Sequence, residues 1–108
     1  MTHGLGEFEQ LVLLALLRLE PEAYGVAIRD EIEKRTGRNV ALGSVYTTLL
    51  RLEDKRLVAT RLGDPTPQRG GRRKKYYRAL VAGRRELAAS IESLRSMTRG
   101  LTPGLELP

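Results

Sequence analysis

The sequence predicts a mainly α-helical fold with one small β-hairpin and a further helix near its C-terminal end. Three observations support this class: four segments have apolar residues at helical spacing, two short segments alternate apolar and polar residues, and a long Gly- and Pro-containing loop joins those two. The chain has 108 residues, of which 41% are hydrophobic. This is enough for one compact domain and too little for two independent cores. We therefore expect a single folded unit.

The first helix should form the centre of the core and contact several elements. The apolar run of residues 8–19 is wide enough to bury most of the circumference of a helix. We expect this helix to end near Glu20, because Pro21 disfavours helical geometry in the residue before it. The second helix is predicted over residues 23–36, with apolar residues on one face and charged residues on the other.

The third helix, predicted from residue 42 to about residue 55, has two chemically different faces. Its apolar positions lie within about 80° of one another at 100° per residue, so they should face the core; they are Leu42, Val45, Leu49 and Leu52. The opposite side carries small, hydroxylated or cationic residues and should face a partner. Its candidate binding residues are Gly43, Ser44, Tyr46, Thr47 and Arg51.

Two strands are predicted over residues 57–62 and 76–80, and the loop between them has a strongly cationic end. Five cations stand within seven residues, at Arg69, Arg72, Arg73, Lys74 and Lys75. They surround Gly70 and Gly71, which permit tight bending close to a partner. So dense a cluster is repulsive without an anion, and we therefore expect the loop to bind one.

Positive charge is concentrated in the middle of the chain. The net charge is +6, yet residues 1–36 carry −3, with four Arg or Lys against seven Asp or Glu. Residues 37–80 carry +8, with eleven against three, and residues 81–108 carry +1, with four against three. A generic hydrated surface would not require this asymmetry. The middle segment therefore predicts a polyanionic partner.

Three helices followed by a hairpin with a basic loop form the element order of a winged helix-turn-helix domain. The major groove of B-DNA, about 12 Å wide, admits a helix, and small residues near the start of that helix let its backbone approach the bases. We therefore expect double-stranded DNA as the partner, read by the third helix and clamped by the loop. Two alternatives stay open, because fold alone does not settle function: a protein-interaction module without duplex affinity, and an RNA-binding protein.

The fourth helix, predicted over residues 82–100, is expected to form a homodimer. Its apolar stripe contains Leu87, Ile91, Leu94 and Thr98. Because the preceding elements already supply a closed core, this stripe should pack on a second copy, with two recognition helices roughly 34 Å apart. The predicted organisation is a DNA-binding domain over residues 1–80, a dimerisation helix over residues 81–101 and a flexible tail over residues 102–108.

Several other kinds of site and location are not predicted. Without Cys there is neither a disulfide nor a thiolate metal site. The single histidine, His3, lies in the N-terminal segment, and Ser44 has no histidine to activate it, so we expect no catalytic, metal or cofactor site. The run of residues 8–19 is shorter than the roughly 18 residues that span a bilayer, and no secretory signal is evident. We expect a cytoplasmic protein that is not an enzyme and has no membrane partner.

Five sequence blocks follow one another in a distinctive order. They are Leu-Gly-Glu-Phe-Glu from residue 5, Ala-Tyr-Gly-Val-Ala-Ile from residue 23, Leu-Gly-Ser-Val-Tyr-Thr-Thr-Leu from residue 42, Arg-Leu-Glu-Asp-Lys from residue 51 and Arg-Gly-Gly-Arg-Arg-Lys-Lys-Tyr-Tyr-Arg from residue 69. Over residues 5–87 the chain thereby resembles the PadR family of bacterial transcriptional regulators, in its compact branch. The resemblance implies that Ser44, Tyr46 and Thr47 lie on the recognition helix, residues 70–75 on the wing, and the fourth helix at a dimer contact. It also implies a repressor that releases DNA when a small-molecule effector or a partner binds.

Two positions depart from the family pattern. The family usually has Gly after the third helix, where this chain has Arg56. If this residue takes left-handed geometry, its side chain costs on the order of 1 kcal/mol. Before the fourth helix the family often shows Leu-Thr-Pro, whereas this chain has Leu80, Val81 and Ala82 and so lacks both a capping hydroxyl and a helix-starting proline. We expect a weaker turn at the first position and fraying at the second.

Overall fold

The computed structural model describes residues 4–64 and 73–106. Its elements, in chain order, are α1 (Glu7–Leu19), α2 (Gly25–Thr36), α3 (Leu42–Asp54), β1 (Val58–Leu62), β2 (Lys75–Ala79), α4 (Val81–Thr98) and α5 (Thr102–Leu105). The predicted order of three helices, a hairpin and a fourth helix is confirmed, and with it the mainly helical class. The short helix α5 falls in the segment that the sequence predicted to be a flexible tail.

Helix α1 forms the centre of the core, as its wide apolar surface predicts. Val12, Leu13 and Leu16 are fully buried, and the helix packs against α2, α3, α4 and β2. Its first turn is closed by Glu9, whose carboxylate accepts the backbone N–H of Gly6 at 2.9 Å. Because α1 packs against four elements, it holds α3 and β2 in defined positions relative to each other.

Helix α3 buries one face and exposes the other, as predicted. The apolar face consists of Val45, Leu49 and Leu52, all fully buried, with Leu42 partly buried beside them. Burying three such side chains contributes roughly 1.5–3 kcal/mol each, which holds the helix firmly enough to present its outer face. Soon after α3, Arg56 adopts φ +60°, the left-handed geometry that the glycine of the family pattern would adopt without a Cβ penalty.

The hairpin is a two-stranded antiparallel sheet attached to the start of α2. Its register pairs Val58 with Ala79 and Leu62 with Lys75. The backbone N–H of Tyr77 donates to the carbonyl oxygen of Ala23 at 2.8 Å, which ties β2 to the turn before α2. The side chain of Tyr77 is buried in the core. The base of the wing is therefore anchored on the helical domain.

Helix α4 differs from the sequence-based expectation in how its apolar stripe is used. Leu87 is only 4% exposed and belongs to the core of its own chain, and Ile91 packs against that core. Leu94, in contrast, is 60% exposed, and Thr98 is partly exposed. The N-terminal half of α4 thus lies on its own domain, close enough that a Cβ on Gly83 would be 2.3 Å from the carbonyl oxygen of Leu57. The dimer contact itself stays a prediction.

The start of α4 lacks a side-chain cap, as its sequence suggests. The N-cap residue is Leu80, whose side chain makes no capping hydrogen bond, and the helix nevertheless begins at Val81. The backbone N–H of Leu80 donates to the carbonyl oxygen of Leu57 at 2.9 Å. Tertiary contact thereby orders a helix start that local sequence leaves weak.

Two further features were sought in the described residues: a helix that could span a membrane and a cluster of side chains that could bind a metal ion. None of their helices combines the length and the apolar character that crossing a bilayer requires. In the same ranges, no three His, Asp or Glu side chains lie close enough together to share a metal ion.

Candidate nucleic-acid interface

The outer face of α3 carries the predicted recognition residues, and all of them are exposed. These are Gly43, Ser44, Tyr46, Thr47 and Arg51. Their N-terminal part is built from small side chains, so the helix backbone is accessible there; nothing lies within 4 Å of the position that a Cβ on Gly43 would occupy. Leu50, which is 58% exposed, adds an apolar side chain to this face. Hydroxyl, cationic and apolar groups thus stand together on one surface.

Part of the predicted cationic loop lies at the base of the wing. Arg73, Lys74 and Lys75 are exposed at the start of β2, while Arg69, Gly70, Gly71 and Arg72 lie outside the described residues. The carbonyl oxygen of Lys74 accepts the backbone N–H of Gly63 at 2.7 Å, which closes the hairpin at this level. The three described cations are therefore held by a hydrogen-bonded stem.

Aromatic rings contact two cations of the hairpin, Lys74 of the stem and Arg61 of β1. The ammonium of Lys74 lies 4.3 Å from the centre of the Tyr24 ring, and the guanidinium of Arg61 lies 4.4 Å from the centre of the Tyr76 ring. The Tyr24 and Tyr76 rings meet edge to face, with their centres 6.0 Å apart. Contacts of this kind favour a defined position for each cation by about 0.5–1 kcal/mol at an exposed site. Lys74 is thus positioned by a tyrosine directly before α2, and Arg61 is positioned by a tyrosine of β2.

The recognition helix and the base of the wing border a common cleft of about 350 Å³. Its lining comes from the start of α2, from α3 and from the start of β2: Tyr24, Gly25, Val26, Tyr46, Arg73, Lys74 and Lys75. The cleft therefore brings Tyr46 of the recognition helix together with three cations of the wing. Cationic and phenolic groups in one concave surface suit a negatively charged ligand.

A model of the transcriptional regulator PadR-like family matches residues 13–89 of this chain. This match covers the helix-turn-helix, the hairpin and the first half of α4. The chain belongs to the PadR-like family of transcriptional regulators. The resemblance inferred from the sequence blocks is confirmed, and the protein is a DNA-binding transcriptional regulator of a family that is not enzymatic.

Crystal structures of PadR regulators share this fold along nearly their whole length. A regulator from Clostridium difficile superposes with a TM-score of 0.74 at 24% identity, covering 93% of this chain and 99% of that one. One from Eggerthella lenta gives 0.68 at 27% identity, over 94% and 88% of the two chains. A PadR-like regulator from Bacillus cereus gives 0.70 at 23% identity, over 94% and 93%. No curated protein matches the sequence.

Carboxylates neutralise some of the cations of this PadR-like regulator and leave others unopposed. Arg38 forms a bidentate pair with Glu7 at 2.9 and 3.0 Å, and this hydrogen bond and the charge of Arg38 hold the pKa of Glu7 below its ordinary value. Lys75 lies 3.8 Å from Glu53. Among the described residues, no carboxylate comes within 4 Å of Arg51, Arg73 or Lys74. The positive charge of those three remains available to a ligand.

Tyr77, which lies buried behind the cleft, keeps its proton. Burial raises the pKa of Tyr77, and the nearby charge of Glu53 and the phenol of Tyr46 raise it further. Tyr77 therefore stays neutral at physiological pH and adds no negative charge near the cations. The ammonium of Lys75 lies 5.6 Å from its ring.

The sequence interpretation missed three residues of the cleft in this PadR-like regulator, namely Tyr24, Gly25 and Val26. Tyr24 is only partly buried, and the ammonium of Lys74 lies over its ring. Gly25 was not singled out, although a Cβ there would lie 2.5 Å from the Tyr46 ring. Tyr24 directly precedes the first residue of α2. Its ring therefore lies at the end of the helix rather than on the buried helix face.

Proposed function

We propose that this PadR-like regulator represses transcription by binding a pseudo-palindromic operator as a homodimer. One observation carries the proposal: the exposed face of α3 and the uncompensated cations Arg73 and Lys74 border the same cleft. A helix that enters the major groove needs neighbouring groups that bind the phosphate backbone and fix its orientation. We assign this role to the cations at the base of the wing. The outer loop, residues 69–72, is expected to extend that contact.

Within α3 we assign base contacts to exposed residues of the outer face. Thr47 and Arg51 lie one helical turn apart on the exposed face. Arg is the side chain that matches the two acceptors of guanine, and the Thr methyl suits the methyl group of thymine. Gly43 and Ser44 let the start of the helix approach the groove. These four residues are expected to set the sequence preference.

The dimer contact is assigned to the exposed apolar end of the molecule. Four large apolar side chains between α4 and α5 are more than half exposed: Leu94, Met97, Leu101 and Leu105. Leu94 and Met97 lie on α4, Leu101 lies in the turn after it, and Leu105 lies at the end of α5. An apolar patch of this kind on a regulator suits a second copy, and a C2 pair places two recognition helices on successive major grooves. Thr98 stays at the edge of this proposed interface, and Ile91 stays on the domain side.

Repression follows most simply from occupancy, because a dimer on an operator that overlaps a promoter excludes the polymerase without any further contact. The site of action is then the cytoplasm, where a bacterial chromosome lies. A small-molecule effector, which the family resemblance implies, stays a prediction.

The test is a binding titration against two duplexes at increasing salt, one selected from a random library by the wild-type protein and one of unrelated sequence. We expect a preference for the selected duplex that survives as salt rises. Thr47→Ala and Arg51→Ala should reduce this preference, whereas Arg73→Ala should weaken both duplexes and lower the salt slope by about 1. Arg18→Ala is the charge control, since Arg18 lines a separate groove between α1 and α2.

Two results would count against the proposal. A protein without affinity for any duplex would support the protein-interaction alternative, and tighter binding to single-stranded RNA than to duplex DNA would support the RNA alternative. Equal weakening of all sequences by Thr47→Ala and Arg51→Ala would remove the assignment of base contacts.

A further inference from the structure

We infer that the cleft between α2, α3 and the base of the wing holds one backbone phosphate of the DNA. Lys74 and the hydroxyl of Tyr46 bind it, and Tyr24 acts as a positioning residue. This inference rests on the proposed function and deepens it, because it assigns Tyr46 to the backbone rather than to a base. It also joins the recognition helix and the wing at a single ligand group.

The charge of Lys74 is held in place without being neutralised. Its ammonium lies over the Tyr24 ring, 4.3 Å from the centre, and a neutral ring orients a cation while leaving its full charge for an anion. Lys75 shows the opposite arrangement, since its ammonium lies 3.8 Å from a carboxylate oxygen of Glu53. Of these adjacent lysines, Lys74 is therefore the one prepared for a phosphate.

Tyr46 lies against the first turn of α2 only because residue 25 is glycine. A Cβ on Gly25 would come within 2.5 Å of two ring carbons of Tyr46 and 2.6 Å of its hydroxyl oxygen. The ring and its hydroxyl oxygen are thus laid against the backbone of α2 at Gly25, within the lining of the cleft. Nevertheless Tyr46 is 45% exposed, so the phenol remains accessible from solvent. This geometry suits a hydrogen bond to a backbone oxygen of DNA.

The lining of the cleft also suits a sugar–phosphate unit. The volume of the cleft is about 350 Å³. Arg73 and Lys74 supply positive charge and Tyr24 and Tyr46 supply apolar ring surface, which matches a phosphate with its attached sugar. A free inorganic anion would use only the charged part of this lining.

The experiment combines variants of the protein with variants of one duplex, which the wild-type protein has selected from a random library. In each duplex a single phosphate is replaced by an uncharged methylphosphonate. We expect one position in each half-site where the replacement weakens wild-type binding about tenfold, as loss of one charge-assisted contact should. Lys74→Gln should weaken the unmodified duplex by a similar factor and lose its sensitivity at that position while keeping it elsewhere.

Uncharged variants test the geometry separately. Gly25→Ala should displace the Tyr46 ring and weaken binding several-fold with an unchanged net charge, and the melting temperature should not fall, because alanine is the better helix former. Tyr24→Phe should bind as the wild type does, whereas Tyr24→Leu, which removes the ring under Lys74, should weaken binding. Tyr46→Phe, like Lys74→Gln, should lose its sensitivity to the methylphosphonate at the same position in each half-site.

The outcomes separate this inference from the function on which it rests. If the wild type selects no duplex, the proposed function fails. If it selects a duplex but Lys74→Gln and Tyr46→Phe remain sensitive to the same methylphosphonates, the function stands and the shared phosphate is overturned. Inorganic phosphate is the control ligand, followed by the NMR signals of Tyr46 and Lys74. If phosphate at millimolar concentration shifts these signals as strongly as the duplex does, the cleft is a free-anion site and the inference is overturned.

Discussion

The ammonium of Lys55, at the C-terminal end of α3, lies 2.8 Å from a carboxylate oxygen of Glu9 in the first turn of α1. The other oxygen of this carboxylate accepts the backbone N–H of Gly6 at 2.9 Å. The Glu9 side chain is only 9% exposed. One buried carboxylate therefore closes the start of the central helix and also holds the end of the recognition helix.

Replacing Glu9 by Gln should destabilise the protein in a pH-dependent manner. Burial raises the pKa of Glu9, but the hydrogen bonds from Lys55 and Gly6 and the charges of Lys55 and Arg51 outweigh it, so the pKa lies below its ordinary value. The ionised group therefore contributes stability above its unfolded pKa of about 4.3, and this is lost as the pH falls through the lower folded pKa. At pH 7 we expect Glu9→Gln to cost about 1–2 kcal/mol in urea unfolding.

The control for this variant is Glu7→Gln, which removes an exposed carboxylate from the same helical turn. Glu7 pairs with Arg38 at the surface, where its side chain is 71% exposed, so the urea midpoint should barely change. A difference between wild type and Glu9→Gln that stayed constant from pH 7 to pH 3 would contradict the role of the carboxylate charge.

Two glycines in helices should respond in opposite directions to alanine. A Cβ on Gly83 would lie 2.3 Å from the backbone carbonyl oxygen of Leu57, so Gly83→Ala must push α4 off the hairpin and should cost about 1–3 kcal/mol. A Cβ on Gly43 meets nothing within 4 Å, so Gly43→Ala should stabilise α3 by about 0.5–1 kcal/mol. Thermal unfolding measures both changes. Equal effects of the two substitutions would show that α4 does not approach the backbone of Leu57 this closely.

Replacing Arg56 by glycine should stabilise the protein. It holds φ +60°, where an L side chain is disfavoured by roughly 1–2 kcal/mol and glycine is not. We expect Arg56→Gly to raise the free energy of unfolding by about 1 kcal/mol. Arg56→Ala removes the same charge and keeps the Cβ, so it should give no such gain. If both variants changed the urea midpoint equally, the charge rather than the backbone would be responsible.

Charges on the exposed end of α4 should separate the subunits. At micromolar concentration we expect the wild type to sediment as a dimer and the double variant Leu94→Glu, Met97→Glu to sediment as a monomer, because both residues are more than half exposed in the single chain. Ser96→Glu adds charge to another face of the helix and should leave the dimer intact. A monomeric wild type would remove the proposed interface.

Leu87 provides the matching test on the buried half of the same stripe. It is 4% exposed within its own domain. Leu87→Ala should therefore lower the stability of the monomer by about 2–5 kcal/mol, as other cavity-forming changes do. Dissociation of a dimer by Leu87→Ala with no loss of domain stability would instead place Leu87 between subunits.

The sequence by itself determined the order of the elements and the two faces of α3. Apolar spacing follows the period of about 3.6 in helices and 2 in strands, so Val45, Leu49 and Leu52 could be assigned to the core from their spacing alone. The cationic stem at Arg73, Lys74 and Lys75 was equally visible, because a dense run of like charge is a local property.

Only the tertiary structure decided which neighbours those residues meet. Leu87 and Leu94 belong to one apolar stripe, yet the first is buried in the domain and the second is exposed, because α4 extends past the body that its first half covers. The contact of Lys74 with Tyr24 and that of Lys55 with Glu9 join residues far apart in the chain. Periodicity fixes the direction of a side chain on its own element, but the partner it meets depends on how the elements are placed in space.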